Sequence, residues 1–327
     1  MCSFDGGADL ARELAPSPDA REVARLRDVT AEAVLLWERG LAGPGGAHDI
    51  RADVTDARRG APLEVAAFER IRATAEVACE MHAALAEHAD DAPLIAEVCE
   101  WIDARALRRV ADRLGGALDG RGGIRDDASP SLARARRDVI ELRRQAQEAL
   151  REVAAAVKPH LQEGFITERA GRPVLAVKAS SRSAVPGIVH DTSDSGGTLF
   201  VEPLPVVEAS NRVREALSRE REELAAVLAA LRALVEDHGG TLDAAVEALA
   251  EIDLRLARAS LSRAWRGAPV EPGDPLLERA RHPLLDPATA VPIDLDLSSI
   301  RALVVSGPNT GGKTVSLKTL GLFALLH

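Results

Sequence analysis

The residues with the clearest chemistry lie near the end of the sequence. Gly307-Pro308-Asn309-Thr310-Gly311-Gly312-Lys313-Thr314 fits the pattern G-x-x-x-x-G-K-[ST]. Glycines at this spacing let successive backbone amides turn inward around phosphate oxygens, and a helix that follows adds the partial positive charge of its N-terminus. In such a loop all eight residues line an ATP site, with Lys313 reaching the β- and γ-phosphates and Thr314 ligating Mg²⁺. The context agrees: "ALVVS" (302–306) reads as a buried strand before the loop, and "TVSLKTLGLFALLH" as an apolar helix after it. A phosphate cradle hydrolyses nothing alone. The carboxylate that holds Mg²⁺ and the residue that orients the attacking water come from later strands, and only fourteen residues follow Lys313. No catalytic residue is therefore assigned, and ATP turnover by this stretch by itself is not expected.

A second group is Arg169, Arg172, Lys178 and Arg182, four cations within fourteen residues with only the neighbouring Glu168 against them. They are candidate contacts to nucleic-acid phosphates. Asp191, Asp194 and Glu202 follow and offset their charge, and no aromatic platform for bases accompanies them, so a solvated surface is an equal reading. Cys79-x-x-His82 with His88 and Cys99 lacks a second close pair at ligand spacing, so no zinc site is expected. His282, beside Pro283, fits a structural turn at least as well as a nucleotide contact.

These groups need elements to position them. With 327 residues, 46% apolar and 28% charged, the chain is long enough for two ordinary domains and a sizeable core. It has no run approaching eighteen apolar residues and no secretory leader, and its three cysteines make a disulfide framework improbable; a membrane is excluded and the cytoplasm expected. A net charge of −10 argues against a generic nucleic-acid coat. Four lysines against 37 arginines read as codon bias and not as a recognition design.

Residues 1–128 are helical in pattern, with a helix opening on Pro62 that lines up Leu63, Ala67, Ile71, Ala75, Ala78, Met81 and Leu85. A rod follows over 129–164, with Ser129 as N-cap, Pro130 at the first position and a seam of Leu132, Val139, Leu142, Ala146, Ala149, Val153 and Ala156. Short β-type runs fill 165–204, and a second rod and a return helix fill 205–266. The second rod carries Val213, Leu217, Leu224, Leu228, Leu231 and Val235; the return helix carries Leu242, Val246, Leu249, Ile252, Leu256 and Ala259. Residues 267–327 switch to α/β grammar. The expected fold is mainly α: a helical core, a long antiparallel coiled-coil lever arm carrying a small β insert, and the start of an incomplete α/β P-loop domain. The last helix, apolar nearly all round, is expected to be disordered or to pair with a second copy.

The order helical core, rod, β insert, rod, return helix, "RHPLL" (281–285), then "GPNTGGKT" resembles the MutS family of ATPases. "GGIRDDASPSLARAR" (122–136), "RPVLAVKASSRSAVPGIVHDTSDSGGTLFVEP" (172–203) and "DLRLARASLSRA" (253–264) are similar to its second bacterial subfamily. The resemblance implies that the rods are levers, that the insert takes the place of the DNA clamp, and that the parent is a homodimeric ATP hydrolase with an Smr-type endonuclease domain. It implies DNA, branched or duplex, or the ribosome as partner, in suppression of homologous recombination or rescue of collided ribosomes. The later ATPase motifs and the nuclease domain are missing, so an N-terminal portion is expected. "DPATAVPID" (286–294) lacks the aromatic residue that stacks on the base in mismatch-repair relatives. Two rivals stand beside this reading. A chromosome-maintenance ATPase puts its P-loop before the coil, which chain order excludes; a non-enzymatic coiled-coil interaction scaffold remains.

Overall fold

The structure, a computed structural model, describes every residue except Met1, Ala170, Glu271, Pro272, Asp274, Pro275, Pro287, Arg301, residues 308–311 and His327. The chain divides into two compact units: residues 1–59, 70–112 and 235–327, and residues 60–69 and 113–234.

The first unit is built around α9 (Gly239–Ala264), against which α1 (Asp5–Arg12), α2 (Ala20–Glu38) and α3 (Arg51–Arg58) pack. Every residue of its expected seam is buried, but so are Ala245, Ala248, Ala250 and Leu254 on its other faces. Alanines there let neighbours approach closely, so α9 is an enclosed post and not a rod with one apolar edge. α4 (Val65–Ala86) starts three residues after Pro62 and buries Ala67, Ile71, Ala75, Ala78, Met81 and Leu85, as the periodicity predicts. α5 (Pro93–Ala96) and α6 (Ala104–Ala117) follow.

The start of the chain is tied to this post by one carboxylate. Asp253, 2% exposed, accepts from Ser3 N at 2.9 and 3.0 Å, from Ser3 Oγ at 2.8 Å and from Phe4 N at 3.1 Å. The approach is close enough to demand glycine. A Cβ on Gly7 would sit 2.4 Å from Asp253 Oδ2, and one on Gly43 would sit 2.5 Å from Ser3 Oγ.

The second unit holds α7 (Pro130–Ala156), most of α8 (Leu204–Asp237) and a four-stranded sheet. Ser129 caps α7 by accepting from Leu132 N at 3.0 Å, with Pro130 in the first turn. At about 1.5 Å per residue the two helices are about 40 and 50 Å long. They run antiparallel: Arg136 Nε lies 3.4 Å from Glu220, while Leu150 and Val206 share one core. The seams are close to those expected but shifted. On α7, Leu132, Ala135, Val139, Ala146 and Leu150 are buried, whereas Leu142 is half-buried and Ala156 exposed; on α8, Ala216 and Val227 are buried in place of Leu217 and Leu224.

Between the helices come β1 (Leu161–Arg169), β2 (Arg172–Lys178), β3 (Gly187–Thr192) and β4 (Thr198–Pro203), all antiparallel in the order β1-β2-β4-β3. The β segment thus begins four residues before Phe165. Leu161, Leu175, Val177, Val185 and Val201 form one buried cluster with Leu150 of α7 and Val206 of α8. Gly187 is held 2.2 Å, measured from an added Cβ, from the Glu202 carbonyl oxygen, so no side chain fits there.

The last segment departs from expectation. β5 (Leu276–Ala280) and β6 (Ile293–Asp296) form an antiparallel hairpin, but residues 302–306 are in no strand, and Val304 is 88% exposed. A strand exists only through ladder partners, and none of the described residues supplies one to "ALVVS". α10 (Lys313–Leu326) does form, with Val315 and Leu317 exposed.

Candidate nucleotide loop and nucleic-acid interface

Of the glycine loop, Pro308, Asn309, Thr310 and Gly311 lie outside the described residues. The flanks are described. Gly307 and Gly312 have φ of +144° and +79°, and a Cβ on either would meet nothing, so their requirement for glycine is conformational. Lys313 opens α10, and its Nζ donates to the Gly307 carbonyl oxygen, spanning the mouth of the loop. Thr314, in the first turn, is exposed. The described flanks thus place a helix N-terminus, a lysine and the exposed Thr314 at the two ends of the loop.

The four cations of the insert prove to have separate positions. Arg172, 12% exposed at its side chain, donates through Nη1 to both oxygens of Glu202 at 2.8 Å and through Nη2 to Asn211 Oδ1 at 2.8 Å. His190 Nε2 donates to Glu202 Oε2 at 2.7 Å. Glu202 is fully buried. Burial pushes its carboxyl pKa up, but Ser210, His190 and Arg172 around it outweigh that and hold it below the ordinary value. Arg182 donates to the carbonyl oxygens of Val185 and Gly187 at 2.9 and 2.7 Å, fastening the turn before β3. Lys178 is exposed, with Nζ 3.2 Å from the Pro159 carbonyl oxygen. Arg169 lies over the Phe200 ring, 4.0 Å from its centroid, with Nε 3.3 Å from Asp191. Two of the four, Arg169 and Lys178, thus keep charge at the surface, while Arg172 and Arg182 hold the sheet together.

Four functional candidates escaped sequence reasoning: His190, Phe200, Glu202 and Asn211. The signal was the alternation in "TLFVEP", which puts Phe200 and Glu202 on one face of a strand. The expectation that no aromatic accompanies the cations is corrected here, because β pairing brings Phe200 beside Arg169 from 31 residues away. Among the described residues no group of His, Cys, Asp and Glu is placed to hold a metal ion, and no described helix is long and apolar enough to cross a membrane.

No protein-family model matches the chain. It is 41% identical over 345 residues to the protein named Endonuclease MutS2 of Thermomicrobium roseum, covering 99% of this chain and 43% of that one. The proteins of the same name from Symbiobacterium thermophilum and Pelotomaculum thermopropionicum are 38% and 37% identical, over 98% of this chain and 41% and 42% of theirs. The chain therefore spans about two fifths of the length of the curated relatives it matches. Along nearly its whole length, it belongs to the MutS family, in the branch of these MutS2 proteins.

Proposed function

We propose that this stretch is the core, lever and clamp part of an ATP-dependent, DNA-acting MutS-type protein that works as a homodimer. The observation that carries the reading is the order of parts. Two antiparallel helices about 40–50 Å long carry a sheet on their turn, and a G-x-x-x-x-G-K-T loop follows in the chain. Levers of this kind link a nucleotide site to a distant head, which is what a nucleotide-gated clamp on DNA requires. The parent's hydrolysis of ATP, its endonuclease activity and its roles in suppressing recombination or rescuing collided ribosomes belong to the same proposal; the relatives' name supports the nuclease.

Nucleotide should be held by Gly307 to Thr314, with Thr314 on Mg²⁺, and hydrolysis by this stretch should stay at background because none of the fourteen residues after Lys313 carries a side-chain carboxylate. Lys313→Ala should abolish what nucleotide binding there is, measured by calorimetry with ATP and Mg²⁺. Turnover that vanishes in this variant would instead place hydrolytic carboxylates upstream. A chain that binds neither nucleotide nor DNA supports the interaction scaffold.

DNA binding should be sequence-tolerant and steeply salt-dependent. Of the four cations of the insert, Lys178 presents an exposed ammonium, so neutralising it should flatten the plot of log K against log salt by up to about 1 unit, at about 0.9 per phosphate contact. An unchanged slope on duplex DNA would put the contact elsewhere.

A further inference from the structure

The geometry points to an unpaired-base site on the sheet: we infer that Arg169 and Phe200 form a stacking shelf for single-stranded DNA. This rests on the DNA reading above and narrows it. Phe200 is on β4, a central strand, opposite Ala176 on β2 and Asp191 on β3. A methyl group beside the ring leaves room above it, and Arg169 fills that room at 4.0 Å from the ring centroid. The guanidinium is held edge-on: Nε faces Asp191 at 3.3 Å, and Nη1 donates to the Glu168 carbonyl oxygen at 3.0 Å and to Thr167 Oγ1 at 3.4 Å.

That choice of partners decides what Arg169 can bind. An arginine that grips phosphate does so with its in-plane N–H groups. Here Nη1 donates within the sheet and Nε faces Asp191, and the side chain remains 38% exposed. Its Cζ stands 4.0 Å from the Phe200 centroid, and a planar cation beside an aromatic ring is complementary to the π face of a base. Duplex DNA buries its base faces in its own stack, so only an unpaired strand can present one. The charge arrangement suits such a strand. Lys178, exposed, is two residues from Ala176 along β2 and pairs with Thr198, two residues from Phe200 along β4. A cation therefore stands next to the shelf, where a strand stacked on Arg169 would carry its phosphate. His190 and Asp191, on β3, edge the same region, and Asp191 disfavours a second phosphate there.

The test uses the full chain and three measurements at low salt. Fluorescein-labelled dT12 and a blunt duplex of the same length are titrated by anisotropy, and a dT12 carrying a central 2-aminopurine reports stacking by its quenching. The expected results are tighter binding of dT12 than of the duplex, quenching of 2-aminopurine, and a loss of about tenfold in dT12 affinity in Arg169→Lys, which keeps the charge and removes the plane. Duplex affinity should not change in that variant, whereas Lys178→Ala should weaken both ligands. Equal binding of dT12 and duplex with no quenching overturns the shelf and leaves the DNA reading standing. Binding of neither ligand by the wild-type chain overturns both. Tighter binding of the corresponding ribo-oligomer than of dT12 overturns the assignment to DNA. The quenching is read on the wild type, so the outcome stands even if a variant unfolds.

Discussion

Replacing Arg172 by Ala is expected to destabilise the sheet-bearing unit by about 3–5 kcal/mol, the range for breaking a buried ion pair from one side. The magnitude follows from what is left behind. Glu202 is fully buried, and Arg172 meets both of its oxygens at 2.8 Å; without it, only His190 and the neutral Ser210 face a buried carboxylate. Glu202 must then take up a proton or drag the end of β4 toward solvent. The loss should appear as a lower urea midpoint and as faster amide exchange in β2 and β4. Arg172→Met together with Glu202→Met should recover part of it, because a hydrophobic pair of similar volume removes the charge along with its partner.

The same network sets an acid limit. Glu202 has its folded-state pKa held below the ordinary value, which is about 4.3 in an unfolded chain. Its contribution is therefore complete above that range and is lost as pH falls through the unfolded value toward the depressed folded one. In Arg172→Ala the acid transition of this unit should move to higher pH. A midpoint in urea that does not move, and an acid transition that stays in place, would show that Glu202 is solvated in solution.

Asp253→Ala should detach the start of the chain from α9. Two backbone amides and a hydroxyl converge on this carboxylate, and Phe4 N, the buried donor among them, would cost about 1–3 kcal/mol left without a partner. Gly7→Ala reaches the same end by another route, since its methyl group would stand 2.4 Å from Asp253 Oδ2 and 2.8 Å from its Cβ. Both variants should expose α1 to hydrogen exchange while α7 and α8 stay protected. Protection of residues 5–12 at the wild-type level in both would mean that the contact contributes little.

What could be read from the chain beforehand was what neighbours in sequence decide. Ser129 and Pro130 announce the start of α7 because a cap bonds within its own first turn, and Gly307 to Thr314 announce a loop because their covalent spacing is the signal. Pairing over distance was hidden. Arg172 was taken for a surface cation since its partner Glu202 is thirty residues on, and only the β2–β4 register brings the two together. Phe200 was passed over beneath Arg169 for the same reason. "ALVVS" has the composition of a strand, yet composition cannot supply the neighbour a strand needs. In α9 the leucines were legible as one face, while the alanines that let it be enclosed carried no periodic signal, small side chains being compatible with core and surface alike.

The pairing of α7 with α8 has a consequence for how such an arm can change length in evolution. Arg136 meets Glu220, and Leu150 and Val206 share one core, so each step up one helix is matched by a step down the other. Adding one residue to α7 below Leu150 would turn everything beyond it by about 100° and carry Leu150 off the sheet. Adding seven residues, close to two full turns, restores the facing and lengthens the arm by about 10 Å, provided α8 gains seven as well. Insertions and deletions in this arm should thus be tolerated in coupled heptads, with the sheet moved outward or inward as a unit and its own sequence untouched.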